Sequence, residues 1–278
     1  AIRDYLANTP NWLYSLVAVA PDNPDFVAVC VWNSTGSGEQ RVLYSYDGGK
    51  KFKDTGPLVN YTPGTYPSPV DISVSPLYGD EVRNIALVGS SWSFGFGLVE
   101  RHMFEGEKAS GSWVNATSTA ARAFNWSYCN VVTSVAWSPN FERDNTILVV
   151  TYLNSNGTTW LQHGSWSSDA DEDILWNENA STYVKQGGSR VTPEYWYTYW
   201  GPAYNWRFTT GIALPSDYDG TVRNSMRCLV YVDTRSDVPT FCNGTIFSVD
   251  EQYGNTPADP IKKQINPQAN PPLSLIHI

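Results

Sequence analysis

Four stretches of this chain repeat one another, and a proline punctuates each. They read "SLVAVAPDNPDFVAVCVW" (15–32), "DISVSPLYGDEVRNIALVGSSW" (71–92), "TSVAWSPNFERDNTILVVTYL" (133–153) and "TGIALPSDYDGTVRNSMRCLVYVDT" (210–234). Each opens with a short apolar strand ending at Pro21, Pro76, Pro139 or Pro215, turns through Asp, Asn or Gly, and returns as a second apolar strand. Proline suits that place because it closes a strand and has no N–H to give to a ladder. The prolines stand 55, 63 and 76 residues apart. Such a period holds several strands per repeat and predicts four-stranded antiparallel sheets arranged as propeller blades.

The expected fold is therefore all-β, a β-propeller with four recognisable blades, standing alone or within a larger ring or assembly. Aromatic residues make up 14% of the chain and Met only 2 residues, a balance that favours strands. The blades fall near 13–56, 70–114, 132–176 and 209–254, giving a propeller domain over 1–254 and a Pro/Asn-rich tail over 255–278. No last strand is evident in the fourth blade. The tail ends in "LSLIHI" (273–278), which reads as a short strand. That segment, or the leader 1–12, is expected to pair within a blade or with a neighbouring copy.

The net charge of -9 argues against nucleic acid, whose partners need a basic face. No apolar run has the length of a membrane span. No export signal is visible at Ala1, so any such signal is expected to have been removed. Seven N-x-[ST] acceptor sites, at Asn33, Asn60, Asn115, Asn125, Asn156, Asn179 and Asn243, point to an extracellular glycoprotein. Four cysteines allow two disulfides in an oxidising compartment. Cys228 and Cys242 flank a strand, a turn and a strand start, which leaves Cys30 and Cys129 as the other pair. The alternative to disulfides is that all four are small buried apolar side chains.

One turn is more specific. "SYDGGKKF" (45–52) matches the pattern S-x-D-x-G-x-x-[FW]. It resembles the Asp box of the BNR-type repeat propellers, a superfamily that includes sialidases, sortilin-like receptors and photosystem-assembly propellers. In that reading Ser45 and Asp47 build the tight turn, with the Asp47 carboxylate capping it. Gly48 and Gly49 supply positive φ, and Phe52 packs back between blades. The resemblance implies the fold and little about activity.

The densest aromatic stretch is "EYWYTYWGPAYNWRF" (194–208). Tyr195, Trp196, Tyr197, Tyr199, Trp200, Tyr204, Trp206 and Arg207 are candidate contacts for a ligand or partner. Flat rings with a polar handle stack on sugars, but they also cap a propeller mouth or pack against a neighbouring subunit. The stretch lies in the connection before the fourth blade. All seven acceptor asparagines map to the same face, and the acidic A-to-B turns map to the other. Asp217 and Asp219 are weak Ca²⁺ candidates beside the simpler reading of turn residues, and no other cofactor is implied.

Chemistry is sparse. The histidines His102, His163 and His277 lack metal-ligand spacing, and no nucleophile elbow or phosphate loop occurs. "SRVTP" (189–193) does not match the F/Y-R-I-P motif that the sialidase resemblance requires. The chain reads as non-catalytic. It is expected to be a structural or binding component of a cell surface, sheath or extracellular filament, meeting copies of itself, other surface proteins or glycans. The alternative is a carbohydrate-active enzyme of the Asp-box type, with two carboxylates facing one another.

Overall fold

The computed structural model describes residues 12–33, 40–58, 67–79, 81–91, 97–116, 131–153, 158–166, 174–176, 189–191, 209–222, 225–233, 245–250 and 261–264. They form four antiparallel sheets. The first runs β1 (Trp12–Ala20), β2 (Asn23–Asn33), β3 (Gln40–Ser45) and β4 (Lys53–Pro57). The second runs β5 (Pro67–Val74), β6 (Val82–Ser91), β7 (Gly97–Glu105) and β8 (Lys108–Asn115). The third runs β9 (Val131–Trp137), β10 (Thr146–Leu153), β11 (Thr158–Trp166) and β12 (Ile174–Trp176). The short β13 (Ser189–Arg190) also pairs with β11, and one helical turn, α1 (Phe141–Asp144), links β9 to β10. The fourth runs β14 (Thr209–Ala213), β15 (Arg227–Asp233), β16 (Thr245–Asp250) and β17 (Ile261–Gln264).

Each sheet is a simple meander, as the proline-punctuated repeats require. β5 carries Pro67 and Pro69 at the start of an edge strand, where a missing N–H costs no ladder bond. The fourth strand of the last sheet was not evident in the sequence. β17 supplies it from within the stretch set apart as a tail, pairing Phe247 with Gln264 and Asp250 with Ile261.

The sheets stack face to face in chain order. Their leading strands touch in succession, β1 against β5, β5 against β9, and β9 against β14. Three apolar layers fill the junctions. Ala28, Cys30, Val42 and Tyr44 of the first sheet meet Ile72, Val74, Ile85, Phe104 and Trp113 of the second. Ala86, Val88 and Val99 of the second meet Val135, Trp137, Ile147 and Val149 of the third. Leu148, Val150 and Leu161 of the third meet Cys228, Val230, Phe247 and Val249 of the fourth. Strand alternation explains this: in β2, even-numbered Phe26, Ala28 and Cys30 face the second sheet, while Val27, Val29 and Val31 face away.

Cys30 and Cys228 are both buried in these layers, and burial pushes the Cys30 thiol up to about 11. Within the ladder, Val249 stands opposite Cys228, and Thr245 pairs with Val232 at the other end of the strand. Cys129 and Cys242 lie outside the described residues.

Candidate functional site

The meanders give the array two edges. At one edge, here the loop edge, β1 and β3 begin and β2 and β4 end, so Trp12 pairs with Asn33 and Arg41 with Pro57. The opposite, or turn, edge holds the β1–β2 and β3–β4 turns. The turn edges of neighbouring sheets lie side by side, since the Tyr46 hydroxyl donates to the Gly106 carbonyl of the second sheet at 2.5 Å.

Two of the seven acceptor asparagines are described, and both sit on the loop edge. Asn33 closes β2 and Asn115 closes β8. Asn60, Asn125, Asn156, Asn179 and Asn243 lie outside the described residues, as do Tyr195, Trp196, Tyr197, Tyr199, Trp200, Tyr204, Trp206 and Arg207.

The turn 45–52 is built as its sequence indicates. The Asp47 carboxylate accepts from the backbone N–H groups of Lys50 at 2.9 Å and Lys51 at 2.8 Å, and from the Ser45 hydroxyl at 2.8 Å. Ser45 Oγ in turn accepts from the Gly49 N–H at 2.9 Å. Gly48 and Gly49 adopt φ of 68° and 84°, where L side chains are strained. The N–H bond from Lys51, then the Ser45 hydroxyl, hold the Asp47 carboxyl below its ordinary range. Phe52 packs on Val29, Val31 and Leu43 of its own sheet, on the side facing away from the second sheet.

Other turn-edge acids cross from sheet to sheet. Asp22 follows β1 and grips Arg83 of β6, with Oδ1 2.7 Å from Nη1 and Oδ2 3.1 Å from Nη2. Asp22 Oδ2 also accepts from the Leu77 N–H at 3.0 Å. The Arg83 side chain is 3% exposed and its guanidinium lies 5.1 Å from the Phe26 ring centroid. Burial alone would raise the Asp22 carboxyl, but the hydrogen bonds from Arg83 and Leu77 and the guanidinium charge outweigh it and lower it. Replacing Asp22 with alanine leaves Arg83 buried without its counter-charge. The expected loss is about 2 kcal/mol, below the ~3–5 kcal/mol of a fully buried pair because the Asp22 side chain is 35% exposed. A double-mutant cycle with Arg83→Met checks this by denaturant unfolding, and a coupling near zero contradicts it.

The third and fourth sheets are joined by a denser network. Asp144 closes α1 and is 3% exposed. Its carboxylate accepts from the Ser138 hydroxyl at 2.6 Å, the Thr146 N–H at 3.0 Å and the Gly220 N–H at 2.9 Å. Burial, with a smaller push from the Asp219 charge, raises its carboxyl despite those bonds. Asp219 is fully buried and accepts from Thr221 N–H at 2.8 Å, from Thr221 Oγ1 at 2.6 Å, and from the Arg143 guanidinium. Burial raises Asp219, but Thr221 and Arg143 together leave it lowered. Its oxygens thus serve Thr221 and Arg143, while Asp217 is exposed. Asn140 Nδ2 adds a bond to the Tyr218 carbonyl at 2.6 Å.

Gly220 must be glycine in this network. A Cβ there would stand 2.1 Å from Thr146 Oγ1 and 2.8 Å from His163 Nε2. Gly220→Ala is expected to cost about 2 kcal/mol through overpacking, read as a lower denaturant midpoint. An unchanged midpoint contradicts the packing.

A fourth carboxylate links the inner strands of the second and third sheets. Asp71 of β5 accepts from Ser134 Oγ at 2.8 Å and the Val135 N–H at 2.9 Å, both on β9, and burial raises its carboxyl. Thr210 of β14 donates to Thr133 of β9 at 2.8 Å, continuing the row.

Sequence reading placed the acids of the A-to-B turns on the edge away from the acceptor asparagines but did not show their partners. Arg83, Ser134, Gly220 and Asn140 were missed. One signal was present: "EVRN" (81–84) and "TVRN" (221–224) recur after the turn in the sequence.

No protein-family model matches the chain, and no curated protein sequence matches it. Similar solved structures include the β-propeller domain of the Trilobed protease from Pyrococcus furiosus, at 10% identity and TM-score 0.40, covering 92% of this chain and 57% of that one. Another is the α-L-arabinofuranosidase arb93a from Fusarium graminearum, at 10% identity and TM-score 0.44, covering 92% of this chain and 67% of that one. A third is YCF48 bound to D1 peptide, at 11% identity and TM-score 0.34, covering 89% of this chain and 53% of that one.

Proposed function

We propose that this chain is an extracellular, N-glycosylated β-propeller that serves as a structural or binding component of a cell surface, sheath or extracellular filament. Its partners in this reading are copies of itself, other surface proteins or glycans. One observation carries the reading: the acids of the sheet junctions are used to hold sheets together. Asp22, Asp71, Asp144 and Asp219 each bond a group on a neighbouring sheet or on the element that meets it. A glycosidase instead needs two carboxylates free to face a scissile bond. The Ser45–Asp47–Gly49 turn supports kinship with the Asp-box repeat propellers, and the acceptor asparagines of the loop edge support a sugar-coated outer face. Among the described residues, no helix is long and apolar enough to cross a membrane.

Immunogold labelling of the cells that make the protein, with antibody raised against the folded chain, tests this reading. Label on surface or extracellular material is expected. Label confined to the cell interior contradicts it.

A further inference from the structure

The two histidines among the described residues sit in two of the three sheet junctions. His102 of β7 is fully buried and turns toward the first sheet, two residues before Phe104. Its ring centroid lies 5.1 Å from that of Phe104 and 5.4 Å from that of Trp113, and its Nδ1 donates to the Met103 carbonyl at 2.9 Å. His163 of β11 stands opposite Leu148 and two residues after Leu161, so it turns toward the fourth sheet. The β14–β15 connection sits on it, since a Cβ on Gly220 would lie 2.8 Å from His163 Nε2.

The middle junction is built otherwise, and no described histidine enters it. Arg101 of β7 is 2% exposed and lies 3.8 Å over the Trp166 ring of β11. A guanidinium keeps its charge at every pH a folded protein meets. Asp71 joins β5 to β9 through Ser134 and Val135, and burial makes protonation a relief for it.

Neither histidine has a ready counter-charge for a second proton. The layer around His102 holds Tyr44 and Cys30 of the first sheet, which are neutral in acid, and Arg101 beside it carries a like charge. Arg83 and Asp22 of that junction are occupied with one another. On the fourth-sheet side, Tyr218 and Cys228 are neutral in acid. The Asp144 carboxylate already accepts from Ser138, Thr146 and Gly220, and that of Asp219 from Thr221 and Arg143. An imidazolium at His163 therefore pairs with Asp144 only in competition with the Gly220 N–H that ties the fourth sheet down.

We propose that mild acid releases the two outer junctions, freeing the first and fourth sheets while the second and third stay packed on each other. The array opens from its ends on acidification. This needs the fold alone and does not rest on the surface reading.

Amide hydrogen exchange read by mass spectrometry at pH 6.5 and 4.5, with intrinsic rates divided out, tests it. Peptides from β15 and β16 are expected to lose protection by about 75-fold, the difference that a histidine titrating at 6.5 when exposed and at about 4 when buried makes at pH 4.5. Peptides from β2 and β3 are expected to lose protection as well, and those from β6 and β10 to change by less than about threefold. His163→Gln is expected to keep the fourth sheet protected at pH 4.5 while the first still loosens, and His102→Gln the reverse. Each protein is compared with itself at the two pH values, so a variant that is weaker overall still reports. Protection lost in all four sheets together, in the middle pair first, or nowhere overturns the proposal. So does a His163→Gln protein whose fourth sheet responds to pH as the wild type does.

Discussion

Trp113→Ala is expected to lower the unfolding free energy by about 3–5 kcal/mol, as for other large side chains deleted from a core. Trp113 of β8 is 1% exposed and fills the layer between the first two sheets. Its Nε1 donates to Thr55 Oγ1 of β4 at 2.9 Å, and that hydroxyl donates to the Val42 carbonyl at 2.8 Å. The ring also lies edge-on to His102, with centroids 5.4 Å apart. Removing the indole therefore opens a cavity and strands the Thr55 acceptor. Trp113→Phe keeps a ring but loses the bond and some volume, at about 1–2 kcal/mol. Guanidinium unfolding of both variants separates the two contributions. A loss under about 1 kcal/mol for the alanine variant would mean that these sheets are not joined as described.

Acid is expected to weaken the fold as pH falls from 6.5 toward 4 through the buried histidines, His163 most of all and His102, also lowered by burial, in the same direction. The His163 side chain lies in the middle of β11 opposite Leu148, and burial lowers its pKa from 6.5 to about 4. The unfolded chain then binds a proton that the folded chain refuses. Stability from this group is fully present above 6.5 and is lost as pH drops, by about 3 kcal/mol at the low end of the window. Asp71 and Asp144 act with the opposite sign, because burial raises their carboxyls and protonation relieves them. Asp22, Asp47 and Asp219 are lowered, so their contribution disappears only below the ordinary aspartate range. His163→Gln removes the buried imidazole. It is expected to flatten the pH dependence between 6.5 and 4, measured as denaturant midpoint against pH. A slope identical to that of the wild type contradicts the burial of a neutral imidazole.

The sheets were legible because prolines and apolar alternation are local signals. Pro21, Pro76, Pro139 and Pro215 located the leading strands, and "SYDGGKKF" located one turn and its Asp47 cap, though not the Lys50 and Lys51 donors. β17 was not legible, since "IKKQ" (261–264) carries two lysines and no aromatic or β-branched run. The junction contacts were not legible for a different reason. Asp22 and Arg83 are 61 residues apart, and Arg143 and Asp219 are 76 apart. Nothing in a turn shows that its aspartate reaches the next sheet rather than its own backbone. The register of β15 on β16, which sets Val249 opposite Cys228, was equally hidden.

Turn-edge acids such as Asp22 bond across to the neighbouring sheet, and on the proposed function the opposite, loop edge is the one that would carry sugar. Glycopeptide mapping of the protein from its native source tests that division most directly. Asn33 and Asn115 each close a strand on the loop edge, and both are predicted to carry N-linked glycan. Finding both asparagines unmodified would contradict the account.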